Sequence, residues 1–94
     1  MDSGKMNDKL LLKLSSAQRQ LLLDYQNFIL DDVIRAISLA IKKGNKYEVF
    51  LSEVDFEDLI GYVCSIANHE EDKVLAGKLY RLSDYLDKIL EEYE

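Results

Sequence analysis

Ninety-four residues with a net charge of −6, no proline and one cysteine bound a single domain with one modest core. The lone cysteine excludes an internal disulfide and a Cys-rich zinc site, and it is read as a reduced, cytoplasmic setting. Charge is uneven: residues 1–47 hold eight Lys/Arg against five Asp/Glu, and residues 48–94 hold four against thirteen; this argues against direct nucleic-acid binding, because phosphates need cations.

Residues 1–7, "MDSGKMN", are expected to form a disordered tail or cloning scar, with residues 8–94 as one helical domain. This polar start lacks the apolar stretch of a secretory signal. No apolar run approaches the roughly 20 residues of a spanning helix, so no membrane partner is expected.

The first boundary is "LLLKLSSAQRQLLLDY". Ser15 with Gln18 has the form of a capping box. Beyond it Gln20, Asp24, Asn27, Asp31, Arg35, Ser38 and Lys42 step by three or four, one solvated stripe of a helix. Lys42 and Lys43 suit a last turn, and Gly44 a left-handed end. Residues 16–43 as one helix would run about 42 Å, against a globule of roughly 32 Å. A break is therefore expected near "NFILDD", with Asp31 or Asp32 capping a new helix.

Gly44-Asn45 punctuates, and "KYEVFL" favours a strand. Ser52 then caps the next helix, with Asp55 in its first turn. At an offset of 37 residues Lys9/Lys46, Leu14/Leu51, Ser15/Ser52, Leu22/Leu59 and Tyr25/Tyr62 coincide. Residues 10–14 and 47–51 could pair as a minor two-stranded β-ribbon; alternatively both are extended leads whose leucines staple the following helices. The helix from Glu53 to Asn68 buries Phe56, Leu59, Ile60, Val63, Ile66 and Ala67. Gly61 weakens it, and close approach of a neighbouring helix is the expected reason.

"ANHEEDK" marks the next turn, where Asn68 or His69 could cap and Glu70, Glu71 and Asp72 suit the positive helix end. Leu75, Leu79, Leu82, Leu86, Ile89 and Tyr93 then form a heptad seam. That seam can be buried inside the monomer or against a second copy. The expected fold class is all-α: a small bundle of three to four helices, with the β-ribbon as an optional addition.

His69 is the one histidine. With Glu70 and Asp72 nearby it is the candidate for general-base or phosphotransfer chemistry; the plainer reading is a cap or turn residue. Phosphotransfer bundles carry their histidine within a helix, shortly before a Lys-Gly pair, and the acids after His69 break that pattern. No metal and no cofactor is expected: Ile66 occupies the position where a Glu-x-x-His pair needs glutamate, and Asp55, Glu57 and Asp58 are dispersed around their helix. Cys64 lacks a nearby cation and reads as structural. Half-exposed tyrosines favour interfaces, so Tyr80 and Tyr85, with Glu57 and Asp58, are the candidate interaction residues. The opposite charges of the two halves suit docking within the molecule or head-to-tail attraction between copies.

The expected function is a non-catalytic regulatory or accessory protein that presents an acidic surface, from the helices after Ser52 and after Asp72, to a basic protein partner or to a second copy of itself. The alternative is a small helical enzyme or phosphotransfer module using His69 with nearby carboxylates. A further option is an acidic mimic of nucleic-acid charge.

Overall fold

The computed structural model describes residues 9–93, so the expected tail at residues 1–7 lies outside the described residues. The chain runs β1 (Leu10–Ser15), α1 (Ser16–Asp24), a 3-10 turn (Gln26–Phe28), α2 (Asp31–Ser38), β2 (Ile41–Lys43), β3 (Lys46–Leu51), α3 (Glu53–His69) and α4 (Lys73–Tyr93). The all-α expectation is overturned. The described residues form an α+β fold, with four helices and a three-stranded antiparallel sheet of order β1-β3-β2.

The correction centres on Ile41–Lys43. Read from the sequence as the last turn of a helix, this segment is a strand paired with β3, Ile41 opposite Glu48 and Lys43 opposite Lys46. A central strand has backbone donors and acceptors on both edges, and each needs a partner. β1 serves one edge of β3 and β2 the other, so a two-stranded ribbon would have left half the ladder open. Gly44 is left-handed, with φ 63°, but it turns a two-residue hairpin instead of ending a helix.

Helix α2 stops at Ser38 for a reason far away in the chain. Arg19 donates from Nε to the Ile37 carbonyl and from a terminal nitrogen to the Ser38 carbonyl, each at 3.1 Å. Its guanidinium lies 4.5 Å from the centre of the Tyr47 ring. A cation on the last carbonyls satisfies orphan acceptors and suits the negative helix end.

The break between α1 and α2 falls at "NFIL", near the expected place. Its expected cap is corrected: Leu30 precedes α2 with no side-chain bond, and Asp31 and Asp32 occupy the first turn. Chain length does not impose the break, because the longest dimension of the molecule is 48 Å. Instead, the break lets Leu22 of α1 and Val33 and Ile37 of α2 all reach one core.

Both strand-to-helix junctions are capped by serine. Gln18 N–H donates to Ser15 Oγ at 3.1 Å while Gln18 Oε1 accepts from Ser15 N–H at 2.8 Å. Asp55 N–H donates to Ser52 Oγ at 3.2 Å. The 37-residue offset and the strand register share an origin: Leu12 pairs directly with Val49, the one β1–β3 pair whose members are 37 apart. The β1–α1 and β3–α3 units are thus arranged about that pair as two copies of one plan.

The core lies between the sheet and the helices. Leu12, Leu14, Val49 and Leu51 face inward from the strands and meet Leu22, Val33, Ile37, Phe56, Leu59, Val63, Leu79, Leu82 and Leu86, all at most 2% exposed. Along α4 the buried residues are Leu79, Leu82, Leu86 and Leu90, whereas the expected seam continued through Ile89 and Tyr93. A straight helix advances about 3.6 residues per turn, so a 3.5-residue seam drifts off the buried face. Tyr93 is carried outward to the free edge of β1. There its hydroxyl donates to the Leu11 carbonyl at 3.0 Å and accepts from Leu11 N–H at 3.1 Å. The Tyr85 hydroxyl donates to the Lys13 carbonyl of the same strand at 2.5 Å. Two tyrosines therefore close the edge that a fourth strand would otherwise occupy.

Gly61 does not admit a neighbouring helix. A methyl group built on it meets nothing within 4 Å, and the position is exposed. Gly61→Ala should raise stability by about 0.5–1 kcal/mol by removing backbone freedom from the unfolded chain. Urea titration checks this; a loss of stability would mean that the glycine has a conformational role.

Candidate functional site

The catalytic candidates gather at the C-terminal end of α3. A cleft of about 280 Å³ is lined by Tyr25 and Phe28 from the first half of the chain and by Tyr62, Ser65, Ile66, His69 and Glu70 from the second. His69 is the last residue of α3 and is exposed. Its Nδ1 lies 2.8 Å from the Ser65 carbonyl. A carbonyl can only accept, so Nδ1 is the donor in this bond.

Both candidate acids beside His69, Glu70 and Asp72, make structural bonds. Glu70 Oε1 accepts from the Tyr25 hydroxyl at 2.5 Å, and its Oε2 accepts from Asp72 N–H at 3.1 Å. Asp72 Oδ1 accepts from Val74 and Leu75 N–H at 2.9 and 3.2 Å, which makes Asp72 the cap of α4 in place of the expected Asn68 or His69. The imidazole and the acids adjoin along the chain, but none of the hydrogen bonds links them as a base to its orienting group. Among the described residues no cluster of three or more His, Cys, Asp or Glu side chains could hold a metal ion. Cys64 is a half-buried free thiol.

The Tyr25–Glu70 bond shifts both groups. Accepting by Glu70 holds the Tyr25 proton in place, with lesser help from burial and from the Glu70 charge, and pushes the phenol up to about 12. The same bond, followed by that from Asp72 N–H, holds the Glu70 carboxyl below the usual carboxylate value. The phenol's contribution to stability is thus complete below its unfolded value of 10.0 and is lost as pH rises from there to about 12. That of Glu70 has the opposite sign: it stands above the ordinary carboxylate range and disappears as pH falls through the lowered value. Tyr25→Phe should accordingly flatten the loss of stability between pH 10 and 12, as read from urea midpoints at each pH. An unchanged alkaline slope would rule out the bond as its cause.

The interaction candidates are scattered. Tyr85 is half-buried and occupied at the β1 edge. Tyr80 is 46% exposed, and its hydroxyl donates to Asn68 Oδ1, linking α4 to α3. Glu57 and Asp58 are exposed on α3. Opposite charges do not knit the halves together broadly: the ion pairs among the described residues are Lys43–Glu48, within one hairpin, and Lys88–Asp84, within α4.

A second surface lies on the sheet. The helices contact the sheet face that carries the buried leucines and valines, and Leu11, Ile41 and Phe50 of the opposite face take no part in that core. Cross-strand register puts Leu11, Lys13, Ile41, Lys43, Lys46, Glu48 and Phe50 together on it. Phe50 is 53% and Ile41 66% exposed. Three lysines surround one glutamate there, a basic patch on an acidic protein. β2 has all three residues exposed, and nothing equivalent to Tyr85 and Tyr93 closes its outer edge among the described hydrogen bonds. The available sequence signal was the alternation Val49-Phe50-Leu51, which requires Phe50 to point away from its neighbours. For the cleft it was the repeated pair Tyr25/Tyr62. Comparison with protein-family models, with curated proteins and with solved structures finds no match to this chain.

Proposed function

We propose that the protein is a non-catalytic interaction protein that docks an acidic, extended segment of a protein partner on the bare sheet face and the open β2 edge. The observation that carries this reading is the exposure of Phe50 and Ile41 on the sheet face turned away from the core. Exposed aromatic and branched side chains supply the apolar centre of an interface. Lys13, Lys43 and Lys46 select the sign of the partner. Register directs the backbone of Ile41 and Lys43 toward β3 and that of Lys42 outward. An added strand finds one N–H and one C=O there. A second copy fits this edge poorly, because antiparallel β2 strands would set Lys42 and Lys43 against their own kind.

The free thiol Cys64 supports the cytoplasmic setting, and no helix among the described residues is long and apolar enough to cross a membrane. Engagement of Glu70 and Asp72 in structural bonds weighs against the alternative, in which His69 works with those acids.

The test is an amide-shift titration of the labelled protein with a peptide alternating Glu and Val, beside one alternating Lys and Val. The acidic peptide should move Ile41–Lys43, Glu48 and Phe50, lose its effect in Phe50→Glu, weaken with salt and bind His69→Ala unchanged. Failure of the acidic peptide to bind, or capture of the basic peptide by α3 and α4, would contradict the reading.

A further inference from the structure

The cleft at the end of α3 takes no part in sheet docking, and its chemistry is distinctive. We propose that it binds a quaternary ammonium group, held against the faces of Tyr25, Phe28 and Tyr62 and balanced by the Glu70 carboxylate. Phe28 carries much of the argument. It stands 66% exposed on a 3-10 turn beside the cleft, where a large apolar ring gains little from folding. Its ring lies 6.3 Å from that of Tyr25 at 50°, and both residues line the cleft. Tyr62 lines the same cleft from α3.

Aromatic faces are negative and attract a desolvated cation, most strongly one that water holds weakly. No Lys or Arg lines the cleft. Its carboxylate is fixed at both oxygens, by the Tyr25 hydroxyl and by Asp72 N–H, so it presents charge without rearrangement. The neighbouring His69 imidazole, which also lines the cleft, donates Nδ1–H to the Ser65 carbonyl. At about 280 Å³ the space lies at the small end of ligand sites, which suits a compact methylated head. Two sources carry that head: a free choline-like molecule, or a trimethylated lysine on another protein.

The experiment titrates the full chain with choline and with its neutral carbon isostere, following the ring resonances of Tyr25, Phe28 and Tyr62. Choline should shift all three, and the isostere should bind at least about tenfold more weakly. Phe28→Ala removes only an exposed ring, so the fold should survive while choline affinity falls roughly fivefold to thirtyfold. Glu70→Gln should weaken choline and leave the isostere unchanged. A trimethyllysine peptide beside its unmethylated form assigns the source: tighter binding than choline points to a protein-borne cation, equal binding to a free one. Equal affinity for choline and its isostere, or no shift with any cation, would overturn the proposal. Phe50→Glu on the sheet should change none of these results, which separates this site from the docking surface.

Discussion

Replacing Phe56 by alanine should cost about 3–5 kcal/mol of stability, whereas replacing Phe50 by alanine should cost roughly 0.5 kcal/mol or less. Both are phenylalanines within seven positions of each other. Phe56 is 0% exposed and is the largest fully buried side chain; Phe50 is 53% exposed. Truncation at Phe56 removes the transfer energy of a ring and leaves a cavity that the α3 backbone and the sheet can only partly close. A domain of this size has about 5–15 kcal/mol in total, so Phe56→Ala should move the urea midpoint far toward zero. Truncation at Phe50 leaves no hole. Comparable costs at the two positions would mean that the sheet face is not bare.

Leu12→Asp should abolish cooperative folding at neutral pH, while Lys13→Asp should leave the fold intact. Leu12 is 0% exposed at the centre of β1, directly opposite Val49. No polar or charged side chain is buried anywhere among the described residues, so a carboxylate there would meet no partner. Burying an unpaired charge costs several kcal/mol, on top of the lost leucine. Protonation removes the charge, so mild acid should restore part of the folded signal. Lys13 points the other way, as strand alternation requires, and is exposed. Circular dichroism with thermal melts decides the matter. If residues 10–14 were only an extended helix lead, the two substitutions would differ far less.

Much of the local structure was legible because it is written in adjacent residues. Ser15 with Gln18 and Ser52 with Asp55 are caps whose donor and acceptor lie three positions apart. The buried face of α3 through Phe56, Leu59 and Val63 follows from helical periodicity. What was misread depends on distant partners. Ile41-Lys42-Lys43 continues a helical pattern perfectly well, and only the unpaired edge of β3 converts it to a strand. Arg19 ends a helix nearly twenty residues on, which no local window contains. Tyr85 and Tyr93 read as interface or core residues, yet their hydroxyls meet strand backbone more than seventy positions away. Among the site residues, His69, Glu70 and Asp72 were noticed because they are rare or clustered, and the structure gives the two acids structural bonds. The less conspicuous Phe28, Tyr62, Ile41 and Phe50 line the cleft and the sheet surface; their placement there is a tertiary property.

The proposed docking function depends on residues 41–43 being an edge strand beside an exposed sheet face. The most direct measurement is the set of cross-strand proton contacts in solution. Pairing of Lys42 with Tyr47 and of Leu11 with Phe50 places those α-protons close together, since they are the non-hydrogen-bonded pairs of their ladders. Strong α-proton contacts between Lys42 and Tyr47, and between Leu11 and Phe50, are the expected result. Sequential helical contacts running from Ser38 through Lys43, with no cross-strand signal to Tyr47, would return these residues to the helix and remove the docking edge.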